Sequence, residues 1–143
     1  MPSNPELSLV LDPSADVVRQ LEDGVMSYTA GQIELGERQQ LGVLAHDATG
    51  ELVGGVTGRL AVRWLLIHVA WVAEAYRGTG LGRQLMTAIE SEAIERGCIG
   101  AQVDTLSVQA PGFYTRLGYA IVGTVPDCPP GHARHFLAKR FMA

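Results

Sequence analysis

The residues with the clearest chemical potential are Arg77, Gly78, Thr79, Gly80, Leu81 and Gly82, a basic residue followed by glycines at alternating positions. Backbone without Cβ atoms lets a ligand come close, and the arginine adds a full positive charge. From Leu81 onward Leu81, Leu85, Met86, Ile89, Ala93 and Ile94 recur at helical spacing, with Arg83, Gln84, Glu90, Glu92, Glu95 and Arg96 on the other side. Gly97 suits the position just past that helix. The glycines therefore lie at a helix start, where unpaired N–H groups and the positive end of the macrodipole favour an anion. A phosphate-bearing ligand fits this combination, whereas a loop arginine by itself would be ordinary. Two familiar phosphate loops do not fit. A nucleoside-triphosphate loop requires Lys and then Ser or Thr after its last glycine, where this chain has Arg83 and Gln84. A dinucleotide fingerprint requires a small residue where Arg83 stands.

The elements that must position this loop are legible on either side of it. Residues 64–72, WLLIHVAWV, are apolar, β-branched and aromatic, and predict a mostly buried strand. Nearer the N-terminus, Leu7, Leu9 and Leu11 alternate with polar or small residues and predict a short strand. Asp12 as cap and Pro13 at the first helical position then open a helix carrying Val17, Val18, Leu21, Val25 and Tyr28. Residues 30–40 show no clear period and read as a loop. Residues 41–46 and 51–60 flank Asp47-Ala48-Thr49-Gly50 and predict a hairpin. A boundary between Leu60 and Trp64 follows only from the improbable length of one unbroken strand. Beyond the long helix, residues 99–106 predict a strand and Pro111 opens a short helix over 112–117 that ends at Gly118. Residues 119–125 and 135–141 predict the last two strands. The order implies an α/β fold, a mixed sheet of six or seven mostly antiparallel strands with helices on both faces, in a single domain over residues 1–143.

Arg77, Gly80 and Gly82 spell Arg-x-x-Gly-x-Gly. With Trp71-Val72 ahead of them and FYTRLGY behind, the chain from about residue 41 onward resembles the GCN5-related N-acetyltransferase (GNAT) family. The resemblance implies a GNAT fold in which the strands at 64–72 and 99–106 splay apart. The pantetheine arm of acetyl-coenzyme A then lies in the gap, and the loop and helix start hold its pyrophosphate. Trp71, Val72, Arg77, Gly78, Thr79, Gly80, Leu81, Gly82 and Ser107 are the cofactor-binding positions it points to. Related sequences often carry Asn at the place of Ser107, whose hydroxyl reaches less far, so the expected pantetheine contact there is lost or water-mediated, while Ala110 keeps the family's residue.

The reaction implied is direct attack of a neutral amine on the acetyl thioester in a ternary complex, through a tetrahedral oxyanion. The Val72 backbone N–H matches the oxyanion donor, and Tyr114 matches the acid that protonates the leaving thiolate. Trp71 and Val72 serve equally well as strand core. Phe113 and Tyr114 serve as an aromatic pair packing helix onto sheet, and Phe113 is assigned to the core. For the base the chain offers His68, Glu74, Asp104 and Glu34, and ordered water is a further route. His68 has the most suitable intrinsic pKa, but strict alternation turns it away from Trp71 unless a bulge intervenes. A structural histidine is the plainer reading.

Composition narrows the partners. The 143 residues carry a formal charge of −4 and a single lysine, Lys139, so no basic face for nucleic acid is expected. No run of apolar residues is long enough for a membrane span, and MPSNPELS has neither a charged n-region nor an apolar h-region, which predicts a cytoplasmic protein. Cys98 and Cys128 read as free thiols, and Cys128, His132 and His135 match no standard ligand spacing, so no metal is expected. The expectation is an acetyl-CoA-dependent N-acetyltransferase for a small-molecule or peptide amine. The alternatives are a CoA-binding module without turnover, or an acyltransferase for longer acyl groups or a hydroxyl acceptor. A homodimer is expected by analogy, with Phe136, Leu137 and Phe141 supplying an edge on the final strand.

Overall fold

A computed structural model of the chain describes residues 3–142, which divide into two compact units, one ending at Glu34 and the other beginning at Leu35. The first unit contains helix α1 (Ala15–Ala30). Ser14 caps it, with its Oγ accepting from the Val17 N–H at 3.2 Å, so the cap lies two residues beyond the expected Asp12. Residues 7–11, expected as a strand, form none, and Leu7, Leu9 and Leu11 are exposed. A strand is held by ladder bonds to a neighbour, and the described residues of this unit include no second strand to supply them.

The second unit runs β1 (Gln39–His46), β2 (Leu52–Ala61), β3 (Trp64–Val72), a 3₁₀ turn (Glu74–Tyr76), α2 (Leu81–Glu95), β4 (Gly100–Leu106), α3 (Pro111–Arg116), β5 (Ala120–Pro126) and β6 (Ala133–Arg140). The six strands form one sheet in the order β1-β2-β3-β4-β6-β5, antiparallel throughout except between β3 and β4. The single parallel pair follows from α2, which crosses over between those strands. At the β1–β2 turn, Asp47 Oδ1 accepts from the Thr49 N–H at 2.8 Å, the Thr49 hydroxyl at 2.6 Å and the Glu51 N–H at 3.0 Å. The β2–β3 join has no glycine. Val62 and Arg63 themselves take φ of 49° and 64°, the handedness that suits a two-residue hairpin. Arg63 Nε donates to the Gly97 carbonyl at 3.2 Å and anchors the turn to the end of α2.

Two expectations are corrected by the sheet and its core. The final strand β6 lies between β4 and β5, so it offers no edge for self-association; the edges are β1 and β5. The Glu90 carboxylate, expected on the solvent side of α2, is buried. It accepts from the Tyr119 hydroxyl at 2.7 Å and from Lys139 Nζ at 2.8 Å, so α2 is tied both to the residue before β5 and to β6. A carboxylate is tolerated in such a place only when paired and hydrogen-bonded. Burial foremost, and the hydrogen bond to Glu90 next, push the Tyr119 phenol far above its ordinary value. Otherwise the helix face behaves as its spacing predicts: Leu85, Met86, Ile89 and Ala93 are buried with Val56, Leu60, Leu65, Ala101 and Leu137, while Ile94 stays half exposed. Each fully buried Leu, Ile, Val or Met side chain among them contributes about 1.5–3 kcal/mol.

Gly82, in the first turn of α2, admits a neighbour. A Cβ there would lie 2.9 Å from Phe113 Cε1, so the α3 ring occupies the space that a side chain would need.

Glu90→Ala removes the acceptor shared by Tyr119 and Lys139 and is expected to lower stability by about 2–4 kcal/mol. The measurement is a lower urea midpoint at unchanged m-value. Gly82→Ala is expected to destabilise by about 1–2 kcal/mol through overpacking against Phe113. Phe113→Leu on that background should recover part of the loss, and a zero coupling energy in the double-mutant cycle would count against this packing.

Candidate active site

Parallel pairing between β3 and β4 lasts for only three residues on each strand, Trp64, Leu65 and Leu66 opposite Gly100, Ala101 and Gln102. Beyond them the strands part, and a cleft of about 710 Å³ opens, lined by the far halves of β3 and β4, the start of α2, and α3.

On the β3 wall, the pairing with β2 shifts register: Gly58 faces Ile67 and Thr57 faces Val69, which leaves His68 as an extra residue. This is the bulge that simple alternation lacks. It reverses the alternation, so that Ala70 sits opposite buried Val56, while Trp71 turns to the other face and stands 47% exposed. His68, Trp71 and Val72 all line the cleft. The Ala73 N–H donates to the Val53 carbonyl at 2.8 Å, so Gly54 and Val72 are a non-hydrogen-bonded pair. Antiparallel geometry then turns the Val72 N–H and C=O away from β2, toward the side where β4 no longer pairs.

The loop after β3 closes on that strand end. Arg77 Nε donates to the Val72 carbonyl at 3.1 Å. Gly78 and Gly80 have φ of 76° and 89°, and a Cβ at either would meet nothing within 4 Å, so both are required by backbone conformation and both leave open space. Gly80 is the N-cap of α2 and offers no side-chain cap. The first intrahelical acceptor is the Gly80 carbonyl, taken by the Gln84 N–H at 3.0 Å, so the amides of the first turn remain available beside the cleft. Arg77, Gly78, Gly80 and Gly82 line it. Thr79 and Leu81 do not: the Thr79 hydroxyl donates to the Tyr76 carbonyl at 2.5 Å, and Leu81 packs on the core.

On the opposite wall, Tyr114 is buried yet lines the cleft, its ring edge-on to Phe113 at 5.1 Å and to Tyr119 at 5.9 Å. Burial, and secondarily the Asp104 charge, raise its phenol above the ordinary tyrosine value. Ser107 stands outside the cleft lining. Its Oγ accepts from the Ala133 N–H at 3.0 Å and its N–H donates to the Ala133 carbonyl at 2.7 Å, joining the end of β4 to β6. Gln109, which carried no sequence signal, does line the cleft. Its Oε1 accepts from the Thr105 hydroxyl at 3.0 Å and the Leu106 N–H at 2.8 Å, which leaves the amide nitrogen as its unengaged group. Arg83 and Arg116 also line the cleft and join Arg77 in a cationic set; the sequence assigned a ligand role to neither, Arg83 standing on the polar side of the helix and Arg116 within FYTRLGY.

The base candidates separate. His68 and Asp104 line the cleft, Glu74 lies in the 3₁₀ turn outside its lining, and Glu34 belongs to the first unit. His135 of the discarded Cys/His set pairs with Thr124, Nδ1 to Oγ1 at 2.9 Å, within the β5–β6 ladder.

Known proteins resemble this chain along most of its length. The Acetyltransferase (GNAT) family matches residues 14–119. A blasticidin-S acetyltransferase from Streptomyces morookaense is 47% identical over 91 residues, 63% of this chain and 67% of that protein. An acetyltransferase from Agrobacterium fabrum is 30% identical over 94% of this chain and 97% of its own length. The crystal structure of an acetyltransferase from Bacillus cereus shares the fold with a TM-score of 0.81 at 31% identity, covering 94% of this chain and 98% of that one. A parted parallel strand pair, an uncapped helix start beside it and a family match across both place the protein: it is an acyltransferase and belongs to the Acetyltransferase (GNAT) family.

Proposed function

We propose that the protein transfers an acetyl group from acetyl-CoA to a primary amine by direct attack in a ternary complex. The observation that carries this reading is the coincidence of three features in one cleft: the Arg77 guanidinium beside uncapped α2 amides, the free edge of β3 at Val72, and the Tyr114 phenol. Acetyl-CoA is the co-substrate. Arg77 and the backbone of residues 78–82 hold its diphosphate, an arrangement supported by the open space at Gly78 and Gly80 and by the helix macrodipole. Its pantetheine arm runs between β3 and β4 past Trp71 and Val72. Gln109 Nε2 is better placed than Ser107 to donate to that arm, because the Ser107 hydroxyl is already engaged by Ala133. Because the family match crosses the boundary between the two units, we read the chain as one catalytic domain. We place it in the cytoplasm.

In the reaction, the neutral amine nitrogen forms a bond to the thioester carbonyl carbon, and the carbonyl oxygen becomes an oxyanion that accepts from the Val72 N–H. A preorganised backbone donor of this kind is worth about 3–4 kcal/mol of barrier. The C–S bond then breaks, the thiolate takes the Tyr114 proton, and the proton lost by the amine leaves through His68, which the bulge holds out of the ladder and on the cleft wall. The raised phenol keeps its proton across the neutral range, as an acid for a thiolate must. Blasticidin S is the first acceptor to test, because the relative named for it is 47% identical over 91 residues of this chain.

Tyr114→Phe is expected to lower kcat about a hundredfold while leaving CoA affinity within about twofold, read by thiol release and by calorimetry. Unchanged kcat removes Tyr114 as the acid. Since the acid form is lost only as pH rises through a raised phenol value, the alkaline limb of kcat in the unsubstituted enzyme should lie above about pH 10, and Tyr114→Phe should abolish that limb.

A further inference from the structure

Among the described residues that line the cleft, Asp104 is the one carboxylate; the other permanently charged groups are the Arg77, Arg83 and Arg116 guanidiniums. Strand register separates the two signs. Leu66 pairs with Arg59 on one side and Gln102 on the other, so these residues share a face of the sheet, and Asp104, two places along β4, returns to it. After the bulge at His68, Trp71 opposite Gly55 lies on that same face. Val103 and Leu85 are buried on the other, where α2 and α3 pack and from which Arg83 and Arg116 come. The cleft thus passes between the parted strands from a side with three guanidiniums to a side that carries one carboxylate, itself paired with Arg134 outside the cleft lining.

That carboxylate is fixed. Asp104 Oδ2 accepts from Arg134 Nε at 2.8 Å and lies 2.5 Å from Arg134 Nη2 in an ion pair, and the Arg134 guanidinium stands over the Phe136 ring with 5.1 Å to its centroid. The hydrogen bond and the ion-pair contact fall on one oxygen, so Oδ1 accepts no hydrogen bond among the described residues. We infer that Asp104 recognises a positively charged group that the acceptor carries in addition to the amine that is acetylated, and so selects diamines, polyamines and guanidino-amines over monoamines. This rests on the transferase reading above. The nitrogen that attacks must be neutral, whereas a fixed carboxylate across the cleft from the guanidiniums that take the diphosphate best serves a cation that stays charged. Trp71, 47% exposed and lining the cleft on the same face, provides apolar surface for the methylenes between the two nitrogens.

The test compares cadaverine with pentylamine, which differ by the second amino group, as acceptors for the full chain with saturating acetyl-CoA. The wild-type protein should prefer cadaverine in kcat/KM by about tenfold, and Asp104→Asn should reduce the preference to within about twofold, consistent with loss of one exposed charge-assisted hydrogen bond. Asp104→Glu should keep part of the preference, and KM for acetyl-CoA should be the same in all three proteins, which also reports that each is folded. A wild-type enzyme that prefers neither amine, or turns over neither while other amines react, overturns the assignment. So does an unchanged preference in Asp104→Asn, or a fall in kcat common to both amines, which would place Asp104 on the proton path instead. Binding of acetyl-CoA without turnover of any amine in a broad panel sinks the transferase reading itself.

Discussion

The loss of pairing between β3 and β4 after three residues is the constraint on which the rest of the molecule depends. Backbone N–H and C=O groups beyond Leu66 and Gln102 lack the partners that a continued ladder would give them, and such groups are costly to bury dry. The gap persists because each strand is pinned on its outer side. β2 pairs with β3 from Trp64 to Val72, with only His68 left out, and β6 pairs with β4 from Gly100 to Leu106, so neither strand can relax toward the other without breaking an antiparallel ladder. An extended polar chain laid in the gap would meet two free strand edges, one of which bears the Val72 N–H.

The far wall takes its rigidity from the core. Tyr114 packs edge-on against Tyr119, and the Tyr119 hydroxyl is bonded to Glu90, which also holds Lys139. A side chain that must stay still beside an open cleft is therefore two contacts from a buried, fully paired charge. Phe113, packed into the space at Gly82, fixes the first turn of α2 against the same helix α3. The glycine loop and the phenol are thus located by one set of packing contacts.

Much of this was legible in the sequence, and the exceptions have physical causes. Alternation and helical spacing are local, so β1, β2, β3, α2 and α3 stand close to where their patterns place them. The glycine loop is local too, and its helix start follows from the change of period at Leu81. What stayed hidden was non-local. Leu7, Leu9 and Leu11 alternate like a strand but have no ladder in their own unit. Glu90 reads as a surface residue until β6 brings Lys139 to it across 49 residues of chain. The bulge at His68 depends on the register with β2, and no residue type announces it. The turn at Val62 and Arg63 lacks the glycine or asparagine that usually marks one, although each such residue costs about 1 kcal/mol in that conformation. Gln109 became visible only through the two donors that its carbonyl oxygen accepts.

The bond from Arg77 to the Val72 carbonyl has a bearing on how the two ends of a long ligand communicate. Under the proposed reading, one side chain supplies charge to a diphosphate cradle and braces the strand terminus whose amide faces the gap. With a diphosphate in the cradle, the guanidinium is immobilised between anion and carbonyl, and the neighbouring peptide is immobilised with it. Under the proposed reading, the nucleotide end of the donor, remote from the bond that breaks, sharpens alignment at the reacting carbon. A thioester stripped of its nucleotide would then turn over more slowly even at saturation, because anchoring energy has been converted into rate and not only into affinity.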